Sequence, residues 1–311
     1  MGNPLTPFLE QQGFAMLDGG LATEMEARGA DLDHFLWSAR LLAESPDLVR
    51  SVHYDYLAAG ADIIATATYQ ASFGGFEQAG YGRKRATELM YLSVDLALEA
   101  RDAFWSEDEL RRGRLRPLVA ASIGPFGACR HDGSEYHGNY DVGRQELLDF
   151  HRERMDLLAD MPADLFAFET IPSPLEAEVL IELLADYPGN YAWLSFSCRD
   201  GARVSHGELF ADCATLAEAT EQIVAVGVNC TAPEHIDSLL QSVRSLHTPR
   251  VVYPNSGEQW VAGENRWAGQ DCRGLAAVAW YRLGARLLGG CCRTGPEDIR
   301  RMSAELLEVV D

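Results

Sequence analysis

Three cysteines occupy positions where a thiol can do chemistry. Cys291 and Cys292 follow the short run Arg286–Leu288 and the pair Gly289–Gly290. A helix signal comes next: Thr294 and Glu297 have the spacing of a capping box, and Pro296 sits where a first helical turn tolerates proline. Cys230 repeats the arrangement. It ends the strand-like run Val224–Asn229, and Thr231 and Glu234 again stand at capping-box spacing. A thiolate is favoured between a strand end and a helix start, where unpaired N–H groups and the helix dipole stabilise negative charge. Three such sulfurs from two strands read as a zinc site with one position open, the catalytic rather than the structural pattern. Zinc held by three thiolates is a poor Lewis acid for splitting bonds with water. It is better suited to binding a further thiol as thiolate and keeping it nucleophilic at neutral pH. The chemistry expected is therefore on a substrate sulfur. A vicinal disulfide, plain buried thiols, a redox sensor and a metal store are the competing readings of the same cysteines.

Other polar residues end apolar runs in the same way: Asp18 with Gly19 beside it, Thr68, Ser122, Glu169 and Asn255. Asp18 and Glu169 either cap their own loops or hold a substrate ammonium at the mouth of the fold. The eight histidines show no ligand spacing, and His131 and His137 are expected on an exposed loop. Tyr69, Phe73, Tyr136 and Trp260 read as packing aromatics rather than as a cation site.

The elements that must position these residues follow from the apolar pattern. Eight short runs read as strands: Phe14–Gly20, Asp62–Thr68, Leu118–Ser122, Leu165–Phe168, Tyr191–Ser197, Ile223–Asn229, Val251–Tyr253 and Arg286–Leu288. Helical spacing marks Leu21–Arg28, Pro46–Ala59 with Ser45 as its cap and Gly60 as its stop, Arg83–Trp105, Gln145–Ala159 and a start at Ser173. Further helical runs fall near 208–219, 234–244 and 271–283. Apolar strands that mostly do not alternate, separated by helices, indicate a parallel sheet covered on both faces. Eight units point to an α/β fold of the (β/α)8 TIM-barrel type, a single domain over residues 1–311. No Gly-x-Gly-x-x-Gly follows the first strand, which weakens a dinucleotide-binding alternative. In such a barrel the active site lies at the C-terminal ends of the strands, where the residues above stand.

Composition sets the outer limits. Of 311 residues, 47% are apolar, enough for a full core. The formal charge of −21, from 26 basic and 47 acidic residues, argues against a nucleic-acid partner. It suits a cationic small substrate, and it equally serves solubility. Seven cysteines without disulfide spacing suit a reducing, cytoplasmic setting. No signal-peptide pattern and no membrane span is evident, so no membrane partner is expected.

Four motifs together resemble a known family. Leu17–Gly20, Gly-Val-Asn-Cys at 227–230, Tyr-Pro-Asn-Ser-Gly-Glu at 253–258 and Gly-Gly-Cys-Cys at 289–292 are similar to those of the homocysteine S-methyltransferases. The resemblance spans nearly the whole chain. It implies a zinc-dependent barrel that methylates homocysteine to methionine, with Cys230, Cys291 and Cys292 on zinc and Asp18 and Glu169 on the amino group of homocysteine. Asp132–Tyr136 resembles the branch that uses a sulfonium donor, S-methylmethionine or S-adenosylmethionine. The betaine-using branch is longer at its C-terminus. The expected partners are homocysteine and a sulfonium methyl donor, in a monomer or small homo-oligomer. Selenocysteine stays open as an acceptor. A zinc hydrolase on the same barrel is the alternative from another class; it would more often use histidine and carboxylate ligands.

Overall fold

The computed structural model describes residues 2–32, 36–130, 132–261, 266–268 and 275–310. At its centre lie β1 Ala15–Met16, β2 Ile63–Ala65, β3 Leu118–Ile123, β4 Leu165–Ile171, β5 Ala192–Phe196, β6 Ile223–Asn229 and β7 Arg250–Tyr253. An antiparallel hairpin of β8 Gln259–Val261 and β9 Arg266–Ala268 intervenes before the eighth barrel strand, β10 Ala285–Leu288. The order of pairing is β1-β10-β7-β6-β5-β4-β3-β2, all parallel, and a bridge between Leu17 and Ile63 joins the two ends. Leu17 N–H donates to Leu288 O at 2.7 Å, and Asp18 N–H to Ile63 O at 3.0 Å. The sheet thus closes into the expected barrel.

Helix α1 Thr6–Gln11 packs Phe8 against the residues inside the barrel, and helices wrap the outside: α2 Leu21–Ala27, α3 Leu41–Glu44, α4 Pro46–Ala59, α5 Phe73–Gln78 and α6 Arg83–Trp105 in the first part of the chain. Then come α7 Arg144–Leu158, α8 Pro174–Leu184, α9 Phe210–Ala214, α10 Pro233–Ser242, α11 Ala277–Arg282 and α12 Pro296–Val310. The spacing predicted α4 and α6 to the residue. Val49, Val52 and Tyr56 of α4 are buried, and Gly60 stops it with φ 117°. Among the described residues no helix is long and apolar enough to cross a membrane.

Strand parity divides the core in two. Ala15, Leu17, Ile63, Ala120, Leu165, Ala167, Trp193, Ala225, Val251 and Leu287 pack together inside the barrel. Their neighbours Met16, Ile64, Ala121, Phe166, Phe168, Leu194, Val226, Val252 and Leu288 pack outward against the helices. A period of two requires this alternation. Continuing the inward parity to the C-terminal rim gives Ala65, Ser122, Glu169, Ser195, Asn229 and Tyr253. All of this layer but Ala65 is polar, and Ala65, Glu169, Asn229 and Tyr253 reach the candidate site.

Three capping expectations fail. Ser45 makes no side-chain cap on α4. Thr294 Oγ1 does not cap α12; it donates to Cys291 O at 2.6 Å, and Asp298 Oδ2 takes the Gly295 N–H at 3.1 Å instead. Thr231 Oγ1 donates to Asn229 O at 2.9 Å and accepts the Cys198 N–H at 3.0 Å. Both threonines serve the backbone of the cysteine turns, where a carbonyl was closer than the orphan N–H groups of the helix. Ser173 does cap α8, accepting the Glu176 N–H.

Candidate functional site

A cavity of about 150 Å³ opens at the C-terminal ends of the strands. Three sulfurs stand on one side of it. Cys230 Sγ lies 2.8 Å from Cys291 Sγ and 3.7 Å from Cys292 Sγ, and all three fall within 4.8 Å of one another. Two turns bring them together. Cys291 N–H donates to Pro254 O at 2.8 Å, and the Ser256 N–H is bonded to Cys292 O at 3.1 Å. This packing needs glycine: a Cβ on Gly290 would collide with Thr294 Oγ1, and one on Gly20 would press on Cys291 O. Cys230 itself has φ 45°, in the left-handed region that non-glycine residues seldom occupy.

Hydrogen bonds from the Cys291 and Cys292 thiols pull the Cys230 thiol well below its ordinary value, and the same contacts push theirs up. Protein alone thus favours one negative charge over three. A soft cation would discharge all three thiols, and three free sulfurs with no other side chain between them suit such an ion. They form the only cluster of this kind among the described residues.

Two carboxylates face the same cavity. Asp18 Oδ2 accepts the Ala65 N–H at 2.8 Å. Burial, with Glu169 and Cys291 nearby, raises its pKa well above the usual range. Glu169 accepts from Ser122 Oγ on one oxygen and from Tyr253 Oη on the other, at 3.0 Å. Burial pushes it up to about 7, against the hydrogen bonds from Ser122 and Tyr253 that favour the ionised form. A third carboxylate, Glu135, hangs over the cavity with Tyr136 and Tyr69, and burial lifts it to about 7 as well. No lysine, arginine or histidine lines the cavity among the described residues. Such a lining suits a ligand that brings positive charge.

Residues 15–306 match the family model for homocysteine S-methyltransferase. The chain belongs to the homocysteine S-methyltransferase family. It is 47% identical to homocysteine S-methyltransferase YbgG of Bacillus subtilis over 306 residues, which cover 97% of each chain. It is 45% identical to the selenocysteine Se-methyltransferase of Brassica oleracea, covering 96% of this chain and 90% of the other. The metallated crystal form of the Escherichia coli homocysteine methyltransferase MmuM superposes with a TM-score of 0.87 at 43% identity, covering 97% of this chain and all of that one. The barrel and the methyltransferase class are therefore those the motifs implied, and the cysteine cluster fits a metal site.

For a homocysteine S-methyltransferase, the expected substrate residues divide into two groups. Asp18, Gly19 and Glu169 line the cavity together with the three cysteines. Thr68, Ser122 and Asn255 do not. Ser122 stands behind Glu169 as a donor, and Thr68 Oγ1 donates to Ser122 O at 2.7 Å. Asn255 turns its Oδ1 to the Gly257 N–H at 3.0 Å. A strand end locates a residue near the rim but not the direction of its side chain. Tyr69 and Tyr136, read as packing aromatics, line the cavity. Phe73 lies under the Arg83 guanidinium, 4.0 Å from the ring centre. His131 and the Trp260 side chain lie outside the described residues. The motifs left Thr170 and Tyr253 without a role, and Asn229 appeared only within Gly-Val-Asn-Cys. Strand parity was the signal that would have found Asn229 and Tyr253.

Proposed function

We propose that this enzyme moves a methyl group from a sulfonium donor, S-methylmethionine in the first place, to the thiol of homocysteine, using zinc held by Cys230, Cys291 and Cys292. The observation that carries this reading is one cavity with three clustered thiols, three carboxylates and no basic side chain among its described lining residues. Zinc–sulfur bonds of about 2.3 Å at tetrahedral angles place sulfurs about 3.8 Å apart. The Cys230–Cys292 separation of 3.7 Å agrees, and the 2.8 Å between Cys230 and Cys291 would open by about 1 Å. Zinc bound there would stabilise the acceptor as a thiolate at neutral pH.

The side chains supply the rest. Asp18 and Glu169 receive the ammonium of homocysteine, which gives two buried carboxylates their counter-charge and aims the acceptor sulfur at the cysteines. Glu135, Tyr69 and Tyr136 face the donor, whose positive charge suits a carboxylate and aromatic faces. The donor leaves as a neutral thioether, so no acid is needed to protonate it. Holding both sulfur compounds in line contributes through proximity alone. The likeness to a selenocysteine Se-methyltransferase supports a selenol as a second acceptor.

Steady-state rates with S-methylmethionine, S-adenosylmethionine and betaine at fixed homocysteine test the reading. S-Methylmethionine should give the highest kcat/KM, with S-adenosylmethionine slower because its adenosyl group must also enter. Betaine as the best donor, with both sulfonium compounds inert, would overturn the branch assignment.

A further inference from the structure

Four non-glycine residues have positive φ among those described, and three of them flank the site: Thr170 at 61°, Cys230 at 45° and Arg293 at 65°. Thr170 is the most unusual, because a β-branched side chain crowds the left-handed region. It follows Glu169 directly, where the pairing of β4 with β5 shifts between Phe168 and Ile171. Such a conformation persists only where its surroundings enforce it. Here the Asn229 side chain bonds both the N–H and the hydroxyl, while Tyr69 also meets the Thr170 side chain and Ser197 Oγ donates to Thr170 O at 3.5 Å. Asn229 Oδ1 accepts the Thr170 N–H at 2.7 Å, and Asn229 Nδ2 donates to Thr170 Oγ1 at 2.8 Å. The backbone N–H can only donate, so the orientation of the amide is not in question.

The same amide reaches both halves of the site. Ser195 Oγ lies 2.9 Å from Asn229 Oδ1 and 2.6 Å from Tyr253 Oη, and Tyr253 Oη donates to Glu169. Asn229 Nδ2 points at Cys291 Sγ from 3.9 Å. Thr170, Asn229, Tyr253, Glu169 and Cys291 line the cavity, and Ser195 is buried behind them.

We propose that Asn229 is a positioning residue: by pinning Thr170 in its left-handed conformation it aims the Glu169 carboxylate at the ammonium of the acceptor. Released, Thr170 relaxes to negative φ, the 169–170 peptide turns, and Glu169 leaves Ser122 and Tyr253. The inference rests on the assignment of Glu169 to that ammonium. The two are tested separately by comparing homocysteine with 4-mercaptobutanoate, which lacks only the amino group. The ratio of their kcat/KM values reads the ammonium contact, and bound metal per chain reads the cysteine cluster.

Glu169→Gln should lower the ratio tenfold or more; if it does not, the assignment of Glu169 is wrong. Given that loss, Asn229→Ser should lower the ratio at least tenfold with bound metal unchanged. Adding Thr170→Gly, which makes positive φ free of strain, should recover at least threefold of it. Asn229→Asp, isosteric, keeps an oxygen opposite the Thr170 N–H and should hold the ratio within threefold. An unchanged ratio in Asn229→Ser would overturn the inference. So would no recovery with Thr170→Gly, or a loss in Asn229→Asp as deep as in Glu169→Gln.

Discussion

Replacing Glu169 by glutamine should change activity and stability in opposite directions. In the folded chain without substrate, this carboxyl is raised from 4.5 to about 7 by burial. A folded-state pKa above the unfolded value means that stability is present at low pH and is lost as pH rises through the folded pKa. A carboxyl raised from 4.5 to about 7 carries about 3 kcal/mol of strain once it is ionised, above pH 7. That is a ceiling, because one edge of the carboxylate faces the cavity. Glutamine carries no charge and keeps one oxygen for Ser122 or Tyr253. The variant should thus gain about 1–3 kcal/mol of stability at pH 8 and close to nothing at pH 4, below the unfolded value. Its loss toward homocysteine should be about 1.5–3 kcal/mol, roughly 10- to 150-fold in kcat/KM, as for a charge-assisted hydrogen bond. Urea unfolding at the two pH values, beside steady-state kinetics, provides the assay. Lower stability at pH 8, with activity lost in proportion and metal lost as well, would refute the reasoning and make Glu169 a structural residue.

Other outcomes follow from the same geometry. Cys230→Ser, Cys291→Ser or Cys292→Ser should each remove most of the bound zinc and the activity, measured by metal analysis after dialysis; full activity in metal-free protein would contradict the mechanism. Glu135→Gln should raise KM for the sulfonium donor about tenfold and leave that for homocysteine within twofold; the reverse pattern would move Glu135 to the acceptor side. His53, buried on α4 with neither ring nitrogen bonded, is lowered by burial from 6.5 to about 4. A depressed pKa means that stability falls as pH falls below the unfolded value, by about 2 kcal/mol between pH 7.5 and pH 5. His53→Leu should abolish that part of the pH dependence of urea unfolding, and an identical dependence in both proteins would show that His53 becomes charged without cost.

The barrel was legible in the sequence because its strands are short apolar runs separated by helices with strong apolar faces. The cysteine cluster was legible because two strand ends repeat one pattern. The substrate wall was less so. Thr68, Ser122 and Asn255 stand at strand ends like Asp18 and Glu169, but only side-chain direction separates those that face the cavity from those behind it. The capping-box spacing at Thr231 and Thr294 misled for a related reason: a threonine hydroxyl bonds whichever backbone group the tertiary fold brings nearest. Nothing local in Glu169–Thr170 announces a left-handed residue, since Asn229, which holds it, lies 59 positions along the chain.

X-ray absorption at the zinc edge is the most direct measurement of the central claim, that homocysteine is activated as a thiolate on a three-cysteine zinc. As purified, the metal should show three sulfur neighbours at about 2.3 Å. Adding homocysteine without a methyl donor should raise the count to four. Three sulfurs unchanged at saturating homocysteine, or a first shell of nitrogen and oxygen, would contradict it.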